Sequence, residues 1–585
     1  MFYMEKTRPI LYGVADYAEI RRAGAWFLDR TAKIRDLEAT RYAVFLRPRR
    51  FGKSLLVTML HAYYDVNFAD RFEEFFGGTD IGANPTDEHG KYLVMKFDFS
   101  AVSKDASKVQ GSFDEYAALR VDTFAREYAQ RLPEGLSERI LCAQGACAKL
   151  NVAFAGLAHT SLKLYVLIDE YDNFTNTILA ESGLNVYNEL CHGDGFVKQF
   201  FTVLKTATSD IESPVARLFI TGVSPVTMDD VTSGFNIGTN ISLMPQYADL
   251  TGFRHDDLRA ISDYYGERCG FDADRLYETA RTWYDNYRFG SFDAPPVANT
   301  TIVLSFFNYI WQTHRFPKEL IDENLRTDYA KIRHLVTVDR RLNGNFHVLE
   351  NLLSEGALTE RLVKSFQANE LTKKENFTSL LYWLGITTIT GENFGKTVFG
   401  VANATLRELA AKMIPDAYSD VHKIDERVYD INSGLCDFAE KGEWRGFVDI
   451  LSSIVKENFA VRDSAEGEKV VQSTLVALLT AAGGPYLVRH EREAGGGFYD
   501  IALKPQLDRW PEIAHSALVE MKYVKAGDPK PTPEQLADIK AKAIAQLDKY
   551  SSDSTLHFST LHSSVSLHRL VLVFHGGECA LSEEV

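Results

Sequence analysis

Short apolar runs, separated by longer stretches of helical periodicity, organise the first 250 residues. Runs at 42–46, 92–99, 164–168 and 217–221 are almost continuously apolar, the pattern of strands covered on both faces of a parallel sheet. A weaker fifth run lies at 241–244. Helix-compatible stretches at 54–64 and 112–130 fall between them, so the order reads β-α-β-α-β and predicts a doubly wound α/β domain. From about 256 to 460 the pattern becomes mainly helical, with amphipathic segments at 257–268 and 272–286 and a proline-containing loop at 293–297. The last 125 residues change again. A helical run at 467–482 ends in Gly483-Gly484-Pro485, strands are predicted at 486–492, 498–503 and 517–523, a helix at 533–550, and a last strand at 570–574. The expected division is 1–255, 256–460 and 461–585.

Composition narrows the class. The chain has 585 residues, 45% hydrophobic and 25% charged, which is ordinary for folded proteins and too long for one core. A formal net charge of -16 argues against indiscriminate binding to nucleic acid or an anionic membrane, leaving room only for a local basic groove. The six cysteines (Cys142, Cys147, Cys191, Cys269, Cys436 and Cys579) form no CxxC pair, so reduced thiols are expected rather than a disulfide framework or zinc site. No run approaches the ~18 apolar residues of a membrane span, and the N-terminus has no signal-peptide pattern. A cytoplasmic protein without membrane contact is expected.

Two segments carry nucleotide chemistry. Arg47-Pro-Arg-Arg-Phe-Gly-Lys-Ser54 follows a predicted strand and opens a predicted helix, the context of a Walker A loop. Backbone N–H groups and the helix N-terminus would surround phosphates there, Lys53 would reach the β and γ oxygens, and Ser54 would ligate Mg²⁺. Gly52 is the glycine before the lysine. The motif's first glycine is replaced by Arg47. Downstream, Leu164-Tyr-Val-Leu-Ile-Asp-Glu170 is an apolar strand ending in two carboxylates, as a Walker B strand does. Asp169 would order Mg²⁺ and Glu170 would orient or deprotonate the attacking water. Thr221 or Ser224, at the end of another strand, could sense the γ-phosphate or simply make a turn contact. Arg49 and Arg50 could contact phosphates or pair with nearby acids.

Near the C-terminus, Asp500 stands on one predicted strand and Glu520 and Lys522 on the next. The period of two puts Glu520 and Lys522 on one face. Two carboxylates and a lysine can hold Mg²⁺ and position a water against a phosphodiester. Residues 461–585 contain 13 Lys and Arg against 17 Asp and Glu, a net charge of -4, which is little for gripping a phosphate backbone. Lys525, Lys530, Lys540 and Lys542 are candidate backbone contacts, and Gly495-Gly496-Gly497 could either admit a backbone or form a hairpin turn. His192, His490 and Glu491 have no second ligand at metal spacing and are read as structural.

With RPRRFGKS at 47–54 and IDEYDN at 168–173, the chain resembles bacterial and archaeal AAA-ATPase-like proteins that carry a C-terminal PD-(D/E)XK nuclease-like domain. The resemblance extends to Gly13–Tyr17, Trp26–Thr31, Lys96–Phe99, Thr221–Pro225 and Trp283–Gly290. It implies that arginine at Arg47 is the usual residue, and that Asp500 and Glu520 are metal ligands with Lys522 orienting the nucleophile. Glu468 matches an additional family acid. Gln546 and Tyr550, four apart on the later helix, resemble the family's helix motif. The expected fold is α/β: an N-terminal P-loop NTPase domain with a parallel sheet, a mainly helical middle region, and a C-terminal α/β restriction-endonuclease-like domain. The expected cofactors are ATP and Mg²⁺. Nucleic acid, DNA ahead of RNA, is the expected partner, and a homo-oligomer is left open. The function implied is nucleotide-controlled phosphodiester cleavage, with a non-catalytic binding module as the alternative.

Overall fold

The computed structural model describes residues 7–191, 195–209, 212–227, 237–321, 337–338, 341–342, 345, 348–349, 351–352, 356–410, 425–458, 467–494, 497–507, 510–551 and 565–585. The chain forms two compact units, Met1–Arg315 with Glu360–Thr397, and Phe316–Thr359 with Val398–Val585. Of the expected middle segment 256–460, residues 256–315 and 360–397 group with the first unit and 316–359 and 398–460 with the second.

The first unit is built on five strands: β1 (Tyr42–Leu46), β2 (Leu93–Asp98), β3 (Leu164–Asp169), β4 (Val215–Gly222) and β5 (Thr239–Asn240). Their order is β2-β3-β4-β1-β5, and every neighbouring pair is parallel. β4 therefore lies between the strand that feeds the Lys53 loop and the strand that ends in Asp169. All six residues of β3 are buried, which is why they read as a continuous apolar run. Helix α1 (Lys53–Tyr64) follows β1, and its apolar side (Leu56, Val57, Met59, Leu60, Tyr63) joins Phe45, Leu167 and Phe219 in one core.

The fifth strand lies two residues before the predicted 241–244. Thr239 and Asn240 pair with Ala43 and Val44, the Ile241 N–H donates to the Val44 carbonyl at 2.9 Å, and then Ser242 Oγ takes the Leu46 N–H at 2.7 Å. That side chain replaces the next rung of the ladder, so the apolar run begins where pairing ends. A strand at Thr387–Asn393 was not legible in the sequence: its second half is polar and largely exposed, and only Thr387, Thr388 and Ile389 are buried.

The second unit carries a mixed sheet of β6 (Tyr486–Ala494), β7 (Gly497–Pro505), β8 (His515–Val524), β9 (Ser566–His575) and β10 (Glu578–Glu584), in sequential order. Only the β8–β9 pair is parallel, which requires the crossover through helix α3 (Pro533–Ser551). Alternation along β8 sends Ala517, Val519 and Met521 to the face covered by helix α2 (Gly467–Ala482), and Leu518 to the face covered by α3 through Ala543, Leu547 and Tyr550. β10 was missed because ECALSEE is polar and makes a partly exposed edge. Among the described residues no helix is long and apolar enough to cross a membrane.

Candidate functional site

β1 ends at Leu46 and the chain turns through 47–52 into α1. Gly52 adopts φ +86°, where a side chain is strained. Arg50 takes φ +68° without that freedom, so its surroundings must hold it there. Lys53 is 4% exposed, and its Nζ donates to the carbonyls of Arg47 and Pro48 at 3.1 Å each. Burial pulls its pKa down, and the nearby Glu170, Asp169 and Asp172 carboxylates oppose that shift. The amine thus lies folded onto its own loop, beside the acids of β3.

Arg47 explains the missing glycine. Its side chain is fully buried and turns inward. Nη1 donates to the carbonyls of Leu46 (2.9 Å) and Ser242 (2.8 Å), and Nη2 to that of Tyr247 (2.8 Å), while the guanidinium lies 3.9 Å from the Phe289 ring centroid. Burial lowers its pKa to about 9, which still leaves it charged at neutral pH. Arg47 therefore braces the root of the loop against β5 and the turn after it.

At the end of β3, Asp169 is 4% exposed and lines one cavity with Ser54. Burial raises its pKa to about 6, and the Ser54 hydroxyl opposes that rise. Glu170 follows at φ +51° with its N–H on Asp169 Oδ1 at 2.9 Å. Thr221 is fully buried on β4, and its Oγ1 has no hydrogen-bond partner among the described residues. Ser224 N–H and Val223 N–H both donate to Asp172, at 2.8 and 3.1 Å. Arg49 Nη2 donates to Asn173 Oδ1 at 2.9 Å, and Arg50 is half-buried in the loop. The structure thus brings Lys53, Ser54, Asp169 and Glu170 together.

Asp172 escaped the sequence reading. Fully buried, it accepts the Val223 and Ser224 N–H groups and Asn176 Nδ2 (2.8 Å), tying the turn after β3 to the end of β4. A Cβ on Gly222 would come within 2.4 Å of the Tyr171 ring and 2.5 Å of Asp172 Oδ1, so only glycine permits this approach. The signal was present as the third acid of IDEYD.

In the second unit, the β7–β8 register pairs Ile501 with Val519, and one step further sets Asp500 beside Glu520. Asp500 Oδ2 accepts the Met521 N–H at 2.7 Å, and Lys522 Nζ donates to Glu520 Oε1 at 2.6 Å. Glu520 is 1% exposed, and its Oε2 has no hydrogen-bond partner among the described residues. Its pKa rises to about 7, chiefly through burial and then through Asp500; Lys522 opposes the rise and Glu468 adds to it. Tyr550 is hydrogen-bonded to Gln546 and feels the charges of Glu520, Asp500 and Lys522. Glu468, Asp500, Glu520, Lys522 and Tyr550 therefore act on one another electrostatically, with Gln546 beside Tyr550. A buried carboxylate beside a second carboxylate, with one buried oxygen left unpaired, fits a cation ligand. Among the described residues no group of three or more His, Cys, Asp or Glu side chains is arranged to hold a metal ion.

These two sites coincide with two family matches. Residues 11–232 match the family described as Predicted AAA-ATPase, AAA-ATPase-like, and residues 466–584 match the PD-(D/E)XK nuclease superfamily. The chain joins an AAA-ATPase-like domain to a PD-(D/E)XK nuclease-superfamily domain. A curated protein of Azotobacter chroococcum mcd 1, called "Uncharacterized protein in vnfD 5'region", is 25% identical over 291 residues, 48% of each chain. The chain spans about half the length of that relative.

The basic groove looked for around the nuclease-superfamily site is sparse. Lys540 pairs with Glu583, Lys530 with Glu578 and Lys542 with Asp538. Lys525 is exposed. His192, Gly495, Gly496 and the side chains of His490 and Glu491 lie outside the described residues.

Proposed function

We propose that the AAA-ATPase-like domain binds and hydrolyses ATP, and that its nucleotide state controls phosphodiester cleavage of nucleic acid, DNA ahead of RNA, by the nuclease-superfamily domain. The observation that carries the first half is the meeting of Ser54 and Asp169 in one cavity beside the buried Lys53, because those groups are the ones a Mg²⁺-nucleotide would occupy. Lys53 would leave the Arg47 and Pro48 carbonyls for the phosphates, Glu170 would orient the attacking water, and the orphan Thr221 hydroxyl would gain a γ-phosphate oxygen as partner. Bound Mg²⁺ would polarise the phosphate oxygens.

The second half is carried by Glu520. Asp500 and Glu520 would hold the divalent cation, Glu468 would add charge at the rim, and Lys522 would orient the nucleophilic water once Glu520 turned toward the metal. Gln546 and Tyr550 would stand on the substrate side of the site. The paired state of Lys530, Lys540 and Lys542 favours a second reading, in which this domain binds nucleic acid weakly or serves as a non-catalytic module.

A matrix of cleavage assays, with and without Mg²⁺ and ATP, on single- and double-stranded DNA and RNA, separates the two. Cleavage lost in Asp500→Ala, and nucleotide-dependent cleavage lost in Lys53→Ala, supports the proposal. Wild-type protein that binds ATP and cuts nothing sinks the nuclease half.

A further inference from the structure

The phosphate loop holds one glycine between residues 47 and 52, so it cannot rely on glycine freedom to turn its amides toward one point. Its shape comes from elsewhere. Three consecutive carbonyls, of Arg49, Arg50 and Phe51, are each taken by one of three consecutive residues at the start of the helix Thr300–Thr313. Asn299 Nδ2 donates to Arg49 O at 3.1 Å, Thr301 N–H to Arg50 O at 3.0 Å, and Thr300 Oγ1 to Phe51 O at 3.1 Å. Asn299 is 2% exposed and Thr300 9%. The Phe51 ring packs edge-on against Tyr287 and Phe289, at 4.9 and 5.5 Å between centroids.

A trans peptide points its C=O and the following N–H in opposite directions. Fixing the carbonyls of Arg49, Arg50 and Phe51 toward this segment therefore turns the N–H groups of Arg50, Phe51 and Gly52 away from it, toward the side where phosphates would lie. Lys53 holds the two preceding carbonyls. The left-handed Arg50, unfavourable by roughly 1 kcal/mol or more, is held in place by Thr301 on its own carbonyl.

We infer that Asn299, Thr300 and Thr301 clamp the phosphate loop and set its anion-binding conformation, with Asn299 and Thr300 as positioning residues of the ATPase. The inference rests on reading this loop as the nucleotide site. The clamp lies outside residues 11–232 of the AAA-ATPase-like match, so this chain's nucleotide site is incomplete without the segment that follows it.

The test uses the full chain and three variants. Thr300→Val removes the hydroxyl and keeps the shape, and Thr300→Ser restores the hydroxyl. Asn299→Asp keeps the acceptor that caps Ile302 N–H at 3.4 Å but loses the donor to Arg49. Hydrogen exchange of the 49–54 amides without nucleotide, and the Kd of a fluorescent ATP analogue, are measured on each. Loss of one such bond predicts about five- to tenfold weaker binding and faster exchange confined to the loop in Thr300→Val and Asn299→Asp, with Thr300→Ser at wild-type values. Unchanged affinity in both variants of a wild type that binds the analogue overturns the inference. So does a loss of protection spread over the whole unit, which is what a merely structural threonine would produce. If the wild type binds no analogue, the nucleotide reading fails alone, and serine-rescued loop protection still supports the clamp.

Discussion

Glu520→Gln should make the metal-free protein more stable and the nuclease-superfamily site inert. Glu520 is buried beside Asp500, and its pKa rises from 4.5 to about 7. A carboxylate raised in the fold binds its proton more tightly there than in the unfolded chain. Stability therefore falls as pH climbs from 4.5 through 7 and stays low above it. The shift corresponds to a ceiling of about 3 kcal/mol at pH 8. The glutamine avoids that cost, in which the Lys522 attraction is already contained, and relaxation around the buried charge lowers the part that is realised. The net is about 2 kcal/mol, or about 4–8 °C in Tm for a unit of this size. Calorimetry in chelator at pH 8 and pH 5 reads it directly. The variant should melt higher at pH 8, and most of the difference should vanish at pH 5, where wild-type Glu520 is already neutral. Added Mg²⁺ should raise the wild-type Tm and leave the variant unchanged. A variant that melts at or below wild type at pH 8, or whose difference does not change with pH, refutes the argument.

Three further outcomes are expected. Arg47→Gly restores the usual first glycine of the motif yet should destabilise the first unit by about 2–4 kcal/mol in urea unfolding, because buried carbonyls at Leu46, Ser242 and Tyr247 lose a charged donor; a neutral or stabilising effect counts against the bracing role. Asp172→Asn turns an amide NH₂ toward the Val223 or Ser224 N–H and should cost about 2–3 kcal/mol, with stability within about 0.5 kcal/mol of wild type as the contrary result. Asp169, raised to about 6 by burial, should release a proton when Mg²⁺-nucleotide binds. Affinity then rises from pH 5 to 7, while metal-free stability falls over the interval from 3.8 through 6. Titration calorimetry in buffers of different ionisation enthalpy tests this, and the Asp169→Asn variant should show neither effect.

Much of the scaffold was legible because its signals are local. Buried parallel strands announce themselves as unbroken apolar runs, and β1, β3 and α1 begin and end within a residue or two of the sequence expectation. Glu520 and Lys522 share a face because of the strand's period of two, which needs no partner to be known. The weakly patterned elements were lost: β10 is a polar edge, and β5 is too short to carry a period.

The chain's own pattern determined that a strand feeds Lys53 and Ser54 into a helix, that a second strand ends in Asp169 and Glu170, and that Asp500 lies on one strand and Glu520 and Lys522 on the next along the chain. Only the tertiary structure decided why Arg47 stands where a glycine is usual, that Asp172 binds two strand ends together, and that Asn299, Thr300 and Thr301 hold a loop about 250 residues earlier. The physical reason is the reach of each interaction. Strand and helix periodicity repeat every two to four residues and are written along the chain. Hydrogen bonds from a buried side chain to a distant carbonyl have no period and exist only once the packing has brought the two together.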